Sequence, residues 1–130
     1  MKLFVYGTLR SAAPMHGLLA GEVESLGIAR VRARLLDLGA FPGLVTTDAD
    51  EWVRGELYAI DAAVAESVLE RLDRYEGDSF EREEDTVVDA EGNEVRALLY
   101  RYRGDPAEGV PVTCGDWLEY SAGRSVPLGS

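Results

Sequence analysis

Two stretches of the sequence carry residues that could do acid–base chemistry on a bound ligand, and about seventy residues separate them. The first is the turn after the apolar run at 2–5, formed by Tyr6, Gly7, Thr8 and Leu9. A strand that stops at a glycine before a small hydroxyl residue leaves several N–H groups pointing the same way. Such amides can bind a carboxylate or an oxyanion, although the same pattern also occurs in strand-end turns that hold no ligand.

The second stretch ends at Glu76. Helical spacing of apolar residues predicts a helix over residues 61–76, with Asp61 as N-cap and Gly77 as terminator. Glu76 continues its apolar stripe, which consists of Val64, Ala65, Val68, Leu69 and Leu72. Burial and the negative end of the helix dipole both favour a protonated carboxyl group and should raise its pKa. Glu76 is therefore a candidate general base or acid, unless its side chain turns outward from a frayed helix end.

Strand patterns surround these two stretches. The apolar run at 2–5 and residues 52–60 predict strands, and Gly55 inside the second suggests a bulge or a close-packed neighbour. Residues 85–89 and 94–102 predict a hairpin. A period of two predicts a strand over 29–35, in which apolar residues alternate with Arg30, Arg32 and Arg34. These arginines could bind phosphate, but in so acidic a chain we expect them to meet carboxylates.

The 130-residue chain has 24 acidic against 13 basic residues and a net charge of -11. Its length predicts one domain over residues 1–124, followed by a mobile tail at 125–130. The charge repels nucleic acid and anionic membranes, and no apolar run approaches the roughly 18 residues that span a bilayer. We therefore expect a cytoplasmic protein without either partner. A single Cys and a single His exclude the usual zinc ligand sets.

Three other residues are weaker candidates. His16 with Ser11 and an aspartate would suggest a hydrolase triad, but the sequence has no Gly-x-Ser-x-Gly elbow. Cys114 has nothing basic near it in sequence, so we expect a buried structural thiol. Asp73 precedes Glu76 by three residues but falls off the apolar stripe, and we expect it to be solvated or capping.

Five blocks of sequence together resemble the gamma-glutamylcyclotransferase-like family of small proteins. They are YGTLR at 6–10, LGAFPGLV at 38–45, VRGELY at 53–58, LDRYEG at 72–77 and GDW at 115–117. The blocks cover roughly the first 120 residues, in order and at family-like spacing. Any one of them would carry little weight, and the resemblance depends on their combination.

The resemblance implies an α+β fold whose mixed β-sheet curls into a small barrel-like core with flanking helices. It also implies one pocket for the glycine loop and Glu76, in which the loop amides hold the substrate and Glu76 acts as general acid/base. Tyr100 matches a pocket tyrosine of the family. The implied reaction is internal aminolysis of a small γ-glutamyl amine or peptide to 5-oxoproline and a free amine, without metal or cofactor.

One departure from the family pattern matters. Relatives often place a tyrosine before an arginine where this chain has Phe80-Glu81-Arg82. The missing hydroxyl bears on substrate identity more than on reaction type. The alternative to an enzyme is a non-catalytic small-ligand-binding or interaction module that retains the pocket. Glu76 discriminates between the two, because a binder has no need of a carboxylate at the end of an apolar stripe.

Overall fold

The computed structural model describes residues 1–7, 23–39 and 41–122. A closed barrel, a small second sheet and two helices account for most of this part of the chain. A short 3₁₀ turn at Pro106–Glu108 precedes the last strand. In chain order the elements are β1 (Lys2–Val5), β2 (Val23–Arg32), β3 (Arg34–Asp37), β4 (Pro42–Val45), β5 (Trp52–Ile60), α1 (Ala65–Glu76), β6 (Phe80–Asp89), β7 (Glu94–Tyr102), β8 (Val110–Pro111) and α2 (Trp117–Ala122).

The barrel has the strand order β1-β5-β2-β6-β7, and β7 closes it by pairing with β1. All neighbours are antiparallel except β1 and β7, which run parallel and pair at Leu3 and Leu98. The α+β fold, with a mixed sheet curled into a barrel beside helices, is therefore confirmed. Gly55 on β5 is also explained, because a Cβ there would lie 2.2 Å from the Val5 carbonyl oxygen on β1.

Side chains alternate between the barrel interior and its outer face. On β1, Phe4 points into the interior cluster with Leu57 and Leu99, whereas Leu3 and Val5 point outward. Helix α1 covers this outer face with four buried side chains, Ala65, Val68, Leu69 and Leu72. Burying a Val or Leu side chain contributes roughly 1.5–3 kcal/mol. This contact fixes α1 directly against β1, so the end of the helix is held near the end of the strand.

The small sheet has the order β4-β3-β8. Leu36 on β3 and Val45 on β4 pack against Tyr102 at the end of β7. This contact attaches the small sheet to the same side of the barrel as the end of β7. Phe41, directly before β4, and Pro42, its first residue, are thereby brought toward the last residues of β1.

Two predicted boundaries were wrong. The helix begins at Ala65 rather than at Asp61, because the Asp61 carboxylate accepts a hydrogen bond from the Ala63 amide (2.9 Å) and closes a separate turn. The predicted strand over 29–35 is divided at Ala33, whose amide donates to the Glu51 carbonyl oxygen. The alternating burial continues across this break, so the pattern alone does not reveal it.

Other sequence expectations had mixed outcomes. The predicted hairpin is present, but β6 begins at Phe80, five residues before the predicted strand. Of the three arginines, Arg34 forms an ion pair with Glu51 (2.9 Å), whereas Arg32 donates to backbone carbonyl oxygens and Arg30 lies over the Trp52 ring.

Among the described residues, no helix is long and apolar enough to cross a membrane. The single-domain boundary at residue 124 stays a prediction, and residues 125–130 lie outside the described part.

Candidate active site

A cavity of about 190 Å³ opens where the end of β1 meets the end of α1. Its described lining combines one carboxyl group, three tyrosines and several apolar side chains, the composition typical of small-molecule sites. Each lining segment comes from a different element. The segments are residues 4–7 from the end of β1, Phe41 and Pro42 from the start of β4, Tyr75 and Glu76 from the end of α1, Phe80 from β6 and Tyr100 from β7.

Glu76 is the last residue of α1, and its side chain is partly buried in this cavity. Gly77 ends the helix with φ 78°, and its amide donates to the Asp73 carbonyl oxygen. Burial raises the pKa of the Glu76 carboxyl group from 4.5 to about 7. Near neutral pH such a group is ionised in part of the molecules, so it can both accept and return a proton.

Tyr6 lines the cavity, but its hydroxyl proton already takes part in a hydrogen bond within the protein. The hydroxyl donates to the Tyr100 carbonyl oxygen at 2.7 Å and so adds a side-chain link between β1 and β7. Burial, and secondarily the nearby charge of Glu76, raises the pKa of Tyr6 well above its usual value. Tyr6 is therefore a neutral, fixed wall of the cavity and one of the groups that close the barrel.

Tyr100 connects the cavity to a carboxylate on the surface. Its hydroxyl donates to Asp73 Oδ1 at 2.5 Å, and Arg82 Nη1 pairs with Asp73 Oδ2 at 3.1 Å. Burial, followed by the hydrogen bond to Asp73, raises the pKa of Tyr100. Because the hydroxyl proton points to Asp73, the Tyr100 hydroxyl oxygen has only acceptor capacity left.

A glycine is required at position 7 because Pro42 lies directly against it. A Cβ at this position would lie 2.5 Å from Pro42 Cγ, closer than carbon atoms approach in folded proteins. The absence of a side chain therefore allows β4 to lie directly against the end of β1. The Gly7 backbone stays buried under Pro42 as part of the lining.

The structure brings together four of the residues named from the sequence, namely Tyr6, Gly7, Glu76 and Tyr100. Their catalytic and binding roles stay predictions. Thr8 and Leu9 lie outside the described residues, as do Ser11 and His16.

Two expectations about single residues need correction. Cys114 was expected to be buried but is exposed, because buried Gly115 packs against the Trp52 carbonyl oxygen and the turn leaves the thiol outside. Asp73 is partly exposed, as expected, but it also holds Tyr100, a tertiary contact that helical position does not reveal. In the sequence, the three-residue spacing between Asp73 and Glu76 was the feature that pointed to Asp73. Among the described residues, no group of three His, Cys, Asp or Glu side chains could hold a metal ion.

Comparison with known proteins gives a consistent family assignment. The family model described as gamma-glutamyl cyclotransferase, AIG2-like matches residues 3–119. A candidate gamma-glutamylcyclotransferase of Vibrio cholerae is 33% identical over 122 residues, covering 90% of this chain and 95% of that protein. YkqA of Bacillus subtilis, another candidate gamma-glutamylcyclotransferase, is 32% identical over 122 residues, and the match covers 91% of this chain and 41% of YkqA.

Solved structures share the fold. The crystal structure of YkqA superposes with a TM-score of 0.75 at 29% identity, over 95% of this chain and 43% of that one. A mouse AIG2-like protein superposes with a TM-score of 0.66 at 24% identity, over 82% of this chain and 80% of its own. The cavity between β1 and α1 is therefore built on a fold that these proteins share. Since the family model spans nearly the whole described chain, this protein belongs to the gamma-glutamyl cyclotransferase, AIG2-like family.

Proposed function

We propose that this protein is a cyclotransferase that cleaves a γ-glutamyl amine or peptide by internal aminolysis. The observation that carries the proposal is the position of Glu76, a carboxyl group with a pKa of about 7 in a cavity shared with Tyr6 and Gly7. A domain that only binds a ligand gains nothing from a carboxyl group whose charge is disfavoured by burial. For proton transfer near neutral pH the same property is an advantage.

The reaction needs no nucleophile from the protein. The α-amine nitrogen of the substrate attacks its own γ-carbonyl carbon, a C–N bond forms, and the bond from that carbon to the departing nitrogen breaks. The products are 5-oxoproline and a free amine. Since both reacting groups belong to one molecule, holding the folded-back conformer supplies a large part of the rate acceleration.

Glu76 moves the protons in this scheme. Its ionised form removes a proton from the α-ammonium group, which makes the amine nucleophilic. After the attack the ring nitrogen releases its second proton to water, and the Glu76 carboxylic acid donates its own proton to the departing nitrogen, which leaves as a neutral amine. A pKa of about 7 suits both steps because neither protonation state is strongly favoured at neutral pH.

Tyr100 and Gly7 orient the substrate in this proposal. The Tyr100 oxygen accepts an N–H from the α-amine, since its own proton is held by Asp73. The Gly7 backbone, with the amides of Thr8 and Leu9 that follow it in the sequence, binds the α-carboxylate or the developing oxyanion. Asp73 is a positioning residue that acts through Tyr100.

The test is release of 5-oxoproline from a set of γ-glutamyl compounds. The protein is incubated with γ-glutamyl amines, γ-glutamyl amino acids and glutathione, and the products are separated by chromatography. We expect release from at least one compound and none from the same compound with an acetylated α-amine, because its internal nucleophile is gone. Equal reaction of blocked and free compounds would indicate hydrolysis by water and overturn the mechanism. No release from the whole set would favour the binding module.

A further inference from the structure

Two phenylalanines stand at the mouth of the cavity. Phe41, directly before β4, and Phe80, the first residue of β6, have ring centroids 5.8 Å apart at an interplanar angle of 61°. Phe80 also packs against Tyr102, with centroids 5.6 Å apart. This edge-to-face arrangement is a favoured one for aromatic rings, so the pair has a defined geometry. We call Phe41 and Phe80 the aromatic pair.

The aromatic pair lies on the outer side of the cavity. Phe41 is 41% exposed, the largest exposed fraction among the described lining residues, whereas Tyr6 and Tyr100 are buried. In sequence, Phe41 adjoins Pro42, which covers Gly7, and Phe80 follows Glu76 by four residues. The pair therefore bridges the two sides of the mouth. With the glutamyl half between Gly7 and Glu76, the exposed ring of Phe41 is left free to contact the departing half.

Charge limits what can occupy that position. Among the described lining residues there is no Lys or Arg, and Glu76 is the one residue with a carboxylate. A departing half with its own carboxylate would bring a second negative charge toward a partly buried acid, in a chain whose net charge is -11. An uncharged apolar group would instead cover the exposed face of Phe41 and gain the free energy of apolar burial.

We propose that the aromatic pair is the subsite for the departing half of the substrate, and that it selects an apolar amine without a carboxylate. This inference rests on the cyclotransferase function proposed above. It assigns to Phe80 the role of a specificity-determining residue, which agrees with its position where relatives often place a tyrosine. The departing half then leaves as an arylalkyl or alkyl amine.

Three γ-glutamyl compounds separate the contributions of ring and charge. γ-Glutamyl-2-phenylethylamine has a ring and no carboxylate, γ-glutamylphenylalanine adds the carboxylate, and γ-glutamylmethylamine lacks the ring. We expect kcat/KM for the phenylethylamine compound to exceed that of each of the others about tenfold or more, since about 1.4 kcal/mol of differential contact gives a factor of ten. Equal values, or a preference for γ-glutamylphenylalanine, would overturn the subsite.

Substitutions in the aromatic pair test whether these two rings cause the preference for the phenylethylamine compound. We expect Phe41→Ala and Phe80→Ala each to reduce the ratio of kcat/KM for the phenylethylamine compound to kcat/KM for the methylamine compound severalfold. Trp52→Ala is the matched control, because Trp52 is also about equally exposed, at 39%, but does not line the cavity. If both phenylalanine variants keep the full preference for the phenylethylamine compound, other residues cause the preference and the subsite is overturned.

Binding of unreactive compounds tests the subsite separately from turnover. N-acetyl-γ-glutamyl-2-phenylethylamine and N-acetyl-γ-glutamylphenylalanine cannot cyclise, and calorimetry gives their Kd values on the wild-type protein. Tighter binding of the first compound, lost in Phe41→Ala, supports the subsite even if no compound releases 5-oxoproline and the cyclotransferase proposal fails. Equal Kd values for the two compounds would overturn the subsite even if turnover is observed.

Discussion

Two ionisable groups lie buried or partly buried in this fold, Glu76 at the end of α1 and Arg101 on β7, and their neighbours differ in charge. On β7, Arg101 is only 2% exposed, but Nε donates to Glu83 at 2.5 Å and Nη2 to Asp85 at 2.6 Å. At the end of α1, burial acts on Glu76 without a cationic side chain in ion-pair contact among the described residues. Both groups act on Tyr6, whose pKa is raised by Glu76 and lowered by Arg101.

The difference separates a structural charge from a reactive one. The two carboxylates replace the water that Arg101 loses, so its guanidinium holds β6 and β7 together. The desolvation of Glu76 is uncompensated, and the result is a pKa close to physiological pH. Burial alone therefore does not identify a catalytic group on this fold. Burial without an opposing charge, beside an open cavity, is the informative combination.

The largest effect is expected at Glu76. Glu76→Gln keeps the shape and hydrogen-bonding capacity of the side chain but removes the exchangeable proton, so we expect kcat/KM to fall by about 10²–10⁴-fold with the fold retained. In the wild type, kcat/KM should rise with pH through about 7, because the ionised carboxylate is the active base. The variant should lack this rise. Rates of 5-oxoproline release between pH 5 and 9 provide the measurement.

Glu70→Gln is the control for this substitution, because Glu70 lies on the exposed side of the same helix. It should leave both the rate and its pH dependence unchanged. A Glu76→Gln protein that turns over within a few-fold of the wild type would mean that another group moves the protons. An unfolded variant, detected by circular dichroism, would assign Glu76 a structural role.

At Arg101 we expect a loss of stability rather than a change in reaction chemistry. Arg101→Met removes the cation that Glu83 and Asp85 share, and among the described residues Glu83 keeps only its ion pair with Arg103. Breaking a buried ion pair in this way costs about 3–5 kcal/mol, and the partial exposure of both carboxylates places the expectation at the lower end, about 3 kcal/mol. Denaturant unfolding gives the free-energy difference.

Arg96→Met is the matched control on the same strand. Arg96 pairs with Glu84 at 2.9 Å, but both side chains are more than half exposed. Exposed pairs contribute about 0–1 kcal/mol, so this variant should be nearly as stable as the wild type. Equal losses at the two positions would show that burial does not distinguish the pairs, and the comparison between Arg101 and Glu76 would lose its basis.

The pH dependence of stability measures the uncompensated burial of Glu76 directly. Because the folded protein holds this proton up to about pH 7 and the unfolded chain only to about 4.5, unfolding releases a proton between these values. The free energy of unfolding therefore falls as pH rises from about 4.5 through 7 and then levels off. At about 1.4 kcal/mol per pKa unit, the decrease due to Glu76 is on the order of 3–4 kcal/mol.

Denaturant unfolding of the wild type and of Glu76→Gln at pH 5 and pH 8 isolates this contribution. The glutamine does not titrate, so the variant should gain stability relative to the wild type at pH 8. Parallel pH profiles of the two proteins would show that the carboxyl group is not desolvated in the folded state.

Local patterns predicted the elements that carry the site. The strand over 2–5, the strand over 52–60 and the end of the helix at Gly77 have the predicted bounds, because apolar runs and glycine termination are properties of short segments. The helix start was wrong because Asp61 can cap either a helix or a tight turn. The sequence does not distinguish these two hydrogen-bonding choices.

The contacts that complete the cavity depend on distant residues. Tyr100 and Asp73 are 27 positions apart and meet only because α1 lies across the outer face of β1 and β7. The Phe41–Phe80 contact similarly requires the small sheet to lie against the end of β7. Helical and strand periodicity give the face of a residue but not its partner, so neither contact could be predicted from the pattern.

The smallest expected effect comes from the glycine that brings β1 and β4 together. Gly7→Ala places a Cβ 2.5 Å from Pro42 Cγ, so the wall formed by Pro42 must move away from the end of β1. The displacement admits water to the cavity and reduces the desolvation that raises the pKa of Glu76. We expect this pKa to fall by about half a unit, which corresponds to less than 1 kcal/mol. NMR titration of the ¹³C-labelled glutamate side chain provides the measurement.

The double variant Gly7→Ala/Pro42→Ala tests whether the contact is responsible. Removing the ring of Pro42 makes room for the new methyl group, so the wall can return toward β1 and the Glu76 pKa should recover toward that of Pro42→Ala alone. Neighbouring residues that share one contact are expected to be non-additive in this way, whereas independent sites add. A pKa that is unchanged in Gly7→Ala, despite a displaced Pro42, would mean that the wall does not control the hydration of Glu76. The helix end would then be the source of its raised pKa, and the distinction between Glu76 and Arg101 would depend on dipole position rather than on exclusion of water.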